Sequence, residues 1–204
     1  MIKDNRDSEA AIQMKKYLEH SEWIDWKCPQ ILDRATYLAK DQDNRQGIAK
    51  KCFEFVRDKI QHSWDYKLNP VTCKASDVLK YHTGYCFAKS HLLAALLRAN
   101  NIPAGLCYQR LALDQSSFCL HGLNAIFLDD IGWYRVDPRG NKPGVNSEFS
   151  PPIENLAFAT VSHGEAHLSE IWHEPLPLIV NCLNRYDTYD EVARNLPDIE
   201  IIGQ

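Results

Sequence analysis

Three residues whose side chains can together open an acyl bond occur in this chain in the order Cys86, His121, Asp137. Cys86 follows Gly84 by two positions and leads into the apolar run His91-Leu92-Leu93-Ala94-Ala95-Leu96-Leu97-Arg98, which places the thiol at a helix start. There the unpaired first-turn amides and the positive end of the helix dipole favour the nucleophilic thiolate. His121 opens one strand-like run and Asp137 closes the next. Nucleophile, base and orienting carboxylate are the parts of a thiol acyl-transfer centre.

Two strands must hold the His and the Asp. Residues 105–111, 121–128 and 133–137 are rich in aromatic and branched side chains, and Asp129-Asp130-Ile131-Gly132 is hairpin chemistry. Paired residues in a hairpin have numbers of constant sum. His121 and Asp137 therefore share a sheet face only with an odd-length loop or a bulge at 129–132, which Gly132 can provide. A plain two-residue loop would put them on opposite faces and end the triad reading.

Helices precede the strands. Residues 8–20, 28–40 and 45–60 carry apolar side chains at helical spacing, and the period breaks over 61–66 around Trp64. Ser76-Asp77-Val78-Leu79 reads as a capped short helix before the Gly84 turn. The cysteine helix should stop at Asn100-Asn101, ahead of Pro103. Residues 138–164 read as a long irregular surface excursion, and 165–204 as a helical C-terminal part with a capping box at Thr188-Tyr189-Asp190-Glu191. The fold class is α+β, in one domain spanning 1–204 with its motifs in about 45–140.

The ordered set Gly84-x-Cys86, Leu97-Arg98 before Ile102-Pro103, His121 leading a strand, and Trp133 ahead of Val136-Asp137-Pro138 resembles the transglutaminase-like superfamily of papain-type thiol enzymes, in a short bacterial-type form. The resemblance implies a catalytic Cys at a helix N-terminus packed on an antiparallel sheet that carries His and Asp. It also implies a thioester on Cys86, general acid-base work by His121, and orientation by Asp137. The backbone N–H of Cys86 is the first candidate donor to the oxyanion, and the indole of Trp64 the second, by likeness to animal transglutaminases. Tyr85, Phe87 and Leu123 depart from the usual neighbours of the Cys and His and bear on substrate preference.

Function follows as cleavage or transfer of peptide or protein amides, with peptidase or amidase action ahead of cross-linking. A non-catalytic peptide-binding module is the alternative from another class. A third reading, a His-rich metal site at His163, His167 and His173 with Glu165 and Glu170, has weak spacing: His163-Gly164-Glu165-Ala166-His167 is no zincin motif and Gly164 opposes a helix. No metal or cofactor is expected. His91 reads as structural and Arg139 as an exposed turn arginine.

A formal net charge of −4 and a 25% share of charged residues give no basic excess for nucleic acid or anionic membrane, so neither is an expected partner. The N-terminal residues carry no signal-like apolar segment, and no run is long enough to span a bilayer. The cytoplasm is therefore the expected location, seven cysteines without a CxxC pair then point to reduced thiols, and the oligomeric state is not encoded in these features.

Overall fold

The computed structural model describes residues 14–199. Of the first expected helix, only the part from residue 14 falls among these, and it contains a 3-10 turn at Lys16–Leu18; the remainder lies outside the described residues. Helix α1 (Pro29–Ala39) begins with Pro at its first position, where a missing N–H costs nothing. Helix α2 (Arg45–Lys59) is capped by Asn44, whose side chain accepts from the Gly47 amide at 2.8 Å, and it buries Ala49, Cys52, Phe53 and Val56. A short strand β1 (Gln61–His62), helix α3 (Ser63–Tyr66), helix α4 (Ala75–Tyr81) and strand β2 (Thr83–Gly84) lead to helix α5 (Cys86–Ala99). Helix α4 starts one residue ahead of Ser76. Its end is satisfied from afar, because the Ser76 amide donates to the Asp25 carboxylate at 3.0 Å.

Every residue of α5 from Cys86 to Arg98 is buried, as expected of a helix that is apolar almost all round. Helices α1, α2 and α4 pack on one side of it, and strands β3 (Ala104–Ala112) and β4 (Phe118–Leu128) on another. Among its buried polar side chains, Arg98 donates through its guanidinium to the carbonyls of Glu19, Ala104 and His173. The helix stops where expected, with Asn101 at a positive φ of 56° just before Ile102-Pro103.

The main sheet runs β5 (Gly132–Val136), β4, β3, β8 (Ala166–His167) and is antiparallel throughout. Strand β5 (Gly132–Val136) pairs with β4 in the register Leu128↔Gly132 and Asn124↔Val136. The connection is therefore the three residues Asp129-Asp130-Ile131, and Gly132 takes a φ of 85° that an L side chain rarely adopts. This is the odd-length loop that keeps His121 and Asp137 on one face. Strand β4 begins at Phe118, so His121 lies inside the strand and not at its head. Pairing of Ala112 with Phe118 carries the ladder up to a turn held by Asp114, which accepts from the amides of Ser116 and Ser117.

Two stretches differ from the sequence reading. Within 138–164 a hairpin forms from β6 (Glu148–Ser150) and β7 (Ile153–Asn155), with Phe149 packed on Phe53 and Tyr134. Strands of three residues are too short to display a period of two, so composition alone suggested irregular chain. Residues Ala166–His167 form an edge strand β8 beside β3, not the start of a helical segment. Helices α6 (Pro177–Arg185) and α7 (Tyr189–Arg194) follow, the latter with the expected Thr188–Glu191 capping box. Among the described residues no helix is long and apolar enough to cross a membrane.

Candidate active site

Cys86 is the first residue of α5, preceded by the extended Tyr85, and no side chain caps that helix end. The Gly122 amide points at its sulfur, with N to Sγ 3.5 Å. Gly122 must be glycine for this approach: a Cβ there would lie 2.8 Å from Phe87 Cδ1 and 3.2 Å from the Phe87 nitrogen. On the residue before, His121 Nε2 donates to Asp137 Oδ2 at 2.7 Å, which leaves Nδ1 as the ring nitrogen for the thiol. Cys86, His121 and Asp137 are 7%, 4% and 0% exposed.

Burial alone would keep His121 neutral. The charges of Asp137 and Cys86 and hydrogen bonds to both outweigh it and raise its pKa from 6.5 to about 10. Asp137 is fixed in turn: Oδ1 accepts from the Arg139 amide at 3.1 Å, Oδ2 also accepts from the Ala157 amide, and its carbonyl accepts from Ser147 Oγ at 2.7 Å. The ring of Phe158 meets His121 edge-on with centroids 5.0 Å apart. Elsewhere burial pushes the thiols of Cys52, Cys73, Cys107 and Cys119 up to about 12 and that of Cys182 to about 11, so these stay protonated. All seven cysteines are unpaired.

Arg139 is not an exposed turn residue. It is 7% exposed and forms a bidentate pair with Asp65 on α3, at 2.7 and 3.0 Å, while Lys142 adds a third bond to Asp65 at 2.6 Å. The chain thus clamps the segment after Asp137 to the segment carrying Trp64. Nothing local in the sequence marks a pair 74 positions apart. Arg139→Ala is expected to destabilise the protein by about 2–3 kcal/mol, since Asp65 keeps only Lys142. Urea denaturation monitored by fluorescence measures this. The amide of residue 139 still serves Asp137, so kcat should fall far less than in Asp137 variants.

His62 is a second residue the sequence reading passed over. It is 5% exposed, its Nδ1 has no hydrogen-bond partner, and the nearest acid, Asp65 Oδ2, is 3.8 Å away. Burial first, then the cations of Arg139, Lys89 and His121, hold it well below the usual histidine range against the pull of Asp65. Lys89, one turn along α5 from Cys86, is buried with its ammonium on the carbonyls of Arg57 and Ile60, closing the C-terminal end of α2. His91 donates through Nδ1 to the Cys73 carbonyl at 2.8 Å, in keeping with a structural role.

Trp64 is 42% exposed and lines the same cavity as Cys86 and His121. The histidine cluster near the C-terminal part does not assemble. His167 Nδ1 accepts from Arg135 at 2.9 Å, Glu165 is occupied by the amides of Ala112, Val161 and Ser162, and His173 stands edge-on to Tyr17. Among the described residues no three His, Cys, Asp or Glu side chains converge as a metal site would need.

A thiol at an uncapped helix start, facing a His-Asp pair carried by adjacent antiparallel strands, is the arrangement of papain-type folds. The chain belongs to the transglutaminase-like superfamily, whose family model matches residues 33–138, just over half of its length. No curated protein matches it. Among solved structures, a candidate cysteine protease from Cytophaga hutchinsonii superposes with a TM-score of 0.50 at 16% identity, covering 62% of this chain and 42% of that one. The periplasmic domain of TgpA from Pseudomonas aeruginosa gives 0.45 at 20% identity, with 60% and 45% covered. Red sea bream transglutaminase gives 0.41 at 12%, with 53% and 26% covered. The chain thus spans less than half the length of each of these structures.

Proposed function

We propose that this chain is a cysteine-type enzyme that opens peptide or protein amides through a thioester on Cys86, and that water resolves the thioester in preference to an amine. Superfamily membership supports the thiol-enzyme class in general terms. The observation that carries the assignment is the 2.7 Å His121–Asp137 bond on the sheet face that meets Cys86. Cys86 attacks the carbonyl carbon as thiolate, and the tetrahedral intermediate collapses as His121 Nδ1 gives its proton to the departing amine. Asp137 keeps Nε2–H engaged and so fixes the productive tautomer. Donors available to the oxyanion are the backbone amide of Cys86 at the uncapped helix end and, at the rim, the indole of Trp64. Seven unpaired thiols fit a reducing compartment such as the cytoplasm.

Alkylation tests the reading. Iodoacetamide near neutral pH, followed by peptide mapping, is expected to label Cys86 well ahead of the five thiols held protonated, and His121→Ala is expected to abolish that lead. Uniformly slow thiols would instead leave a peptide-binding module on the same fold. The product formed in the presence of added alkylamine, free acid or alkylamide, then separates hydrolysis from transfer.

A further inference from the structure

We propose that the cavity beside Cys86 is the subsite for a side chain on the acyl portion of the substrate, and that it takes an uncharged apolar one, so the amides cleaved are those of hydrophobic acyl groups. This rests on the thiol-enzyme reading above and adds its substrate class. The cavity measures about 230 Å³ and has Cys86, His121, Trp64 and Tyr85 in one part of its wall. The rest is built chiefly by Leu111, Leu113, Cys119, Leu120, Phe158 and Leu196. A volume below the roughly 300–1,000 Å³ of pockets that enclose a whole drug-sized ligand suits one side chain.

The charged lining groups, Arg139 and Glu165, are already engaged. Arg139 is bound on both terminal nitrogens to Asp65 and lies over the Phe158 ring at 5.5 Å. Glu165 accepts three backbone N–H groups, from Ala112, Val161 and Ser162, which stabilise its charge locally. Burial keeps the Cys119 thiol protonated and His62 neutral. A charged substrate group would lose its hydration there without gaining a free partner of opposite sign, whereas an apolar group gains from leaving water. Departures from the usual superfamily neighbours at Tyr85 and Phe87 lie at the same end of α5.

Chloromethyl ketones test this without relying on turnover. The Cys86 thiolate attacks the methylene carbon, a C–S bond forms, and chloride leaves with the bonding pair. The full chain is treated with N-acetyl amino-acid chloromethyl ketones bearing Phe, Leu, Gln, Glu or Lys side chains, and Cys86 labelling rates are each divided by the iodoacetamide rate. Phe and Leu reagents should react at least about 10-fold faster than Glu and Lys, the scale of discrimination by an apolar pocket. Leu113→Glu, at a position 49% exposed where folding is not at stake, should erase most of that margin and raise the Lys rate. Equal rates, or a lead for Lys, Glu or Gln, overturn the pocket assignment. If Cys86 fails to react even with iodoacetamide, the thiol-enzyme reading itself fails and the subsite falls with it.

Discussion

Replacing Asp137 with Asn is expected to lower kcat/KM by about 10,000-fold with the fold retained. Asp137 accepts from three N–H groups, on His121, Arg139 and Ala157. Asn offers a single acceptor oxygen and must turn its NH2 toward one of those donors. If the NH2 faces His121, the ring flips tautomer and presents N–H, not a lone pair, to the thiol. If it faces Arg139, a buried amide is left unpaired, at about 1–3 kcal/mol. Either way the negative charge that holds the imidazolium is gone.

The same variant should change the pH profile. In the intact protein His121 is raised from 6.5 to about 10, with burial opposing and Asp137 and Cys86 prevailing. A raised pKa on a cationic group stabilises the fold fully below 6.5, and that contribution is lost as pH climbs through about 10. The general acid disappears over the same range, so amide turnover should decline near pH 10 while iodoacetamide labelling of Cys86, which needs only the thiolate, should not. In Asp137→Asn the alkaline decline should move to lower pH. Rates measured between pH 6 and 11 decide this.

Gly122→Ala is expected to cut kcat/KM by about 100-fold and to destabilise the fold by about 1–3 kcal/mol. The added Cβ would sit 2.8 Å from Phe87 Cδ1 and 3.1 Å from Phe87 Cα. The side-chain clash can be relieved by rotation, but the backbone contact requires β4 to move off the first turn of α5. His121 is the adjacent residue of that strand, and a displacement near 1 Å between base and nucleophile is enough for the loss. Gly132→Ala is the natural control. Nothing lies within 4 Å of its Cβ, but its φ of 85° is strained for alanine, so stability should fall with activity per folded molecule kept.

These two glycines also mark what could be read in the sequence. Gly132 was legible, because the parity of His121 and Asp137 demanded an odd loop and only a residue tolerant of positive φ closes it. The apolar run after Cys86 and its arrest before Pro103 were legible for the same reason: each is a local rule acting on neighbours. Gly122 gave no signal, since its need comes from Phe87 on another element. Arg139 was misread because its partner Asp65 lies far away in the chain, and Ser147 and Ala157, which fix Asp137, sit in a segment whose composition resembles loop. His62 hid in a two-residue strand. The proposed catalytic residues were visible through their types and order, while the groups that hold them depend on contacts made only on folding.

Trapping the acyl-enzyme tests the central proposal most directly. The protein is mixed with an N-acetyl-phenylalanyl anilide, quenched in acid within the first turnover, and digested for mass spectrometry. One added acyl mass is expected, carried by the peptide containing Cys86 and missing from Cys86→Ala. Acylation at any other cysteine, or anilide cleavage persisting in Cys86→Ala, would contradict it.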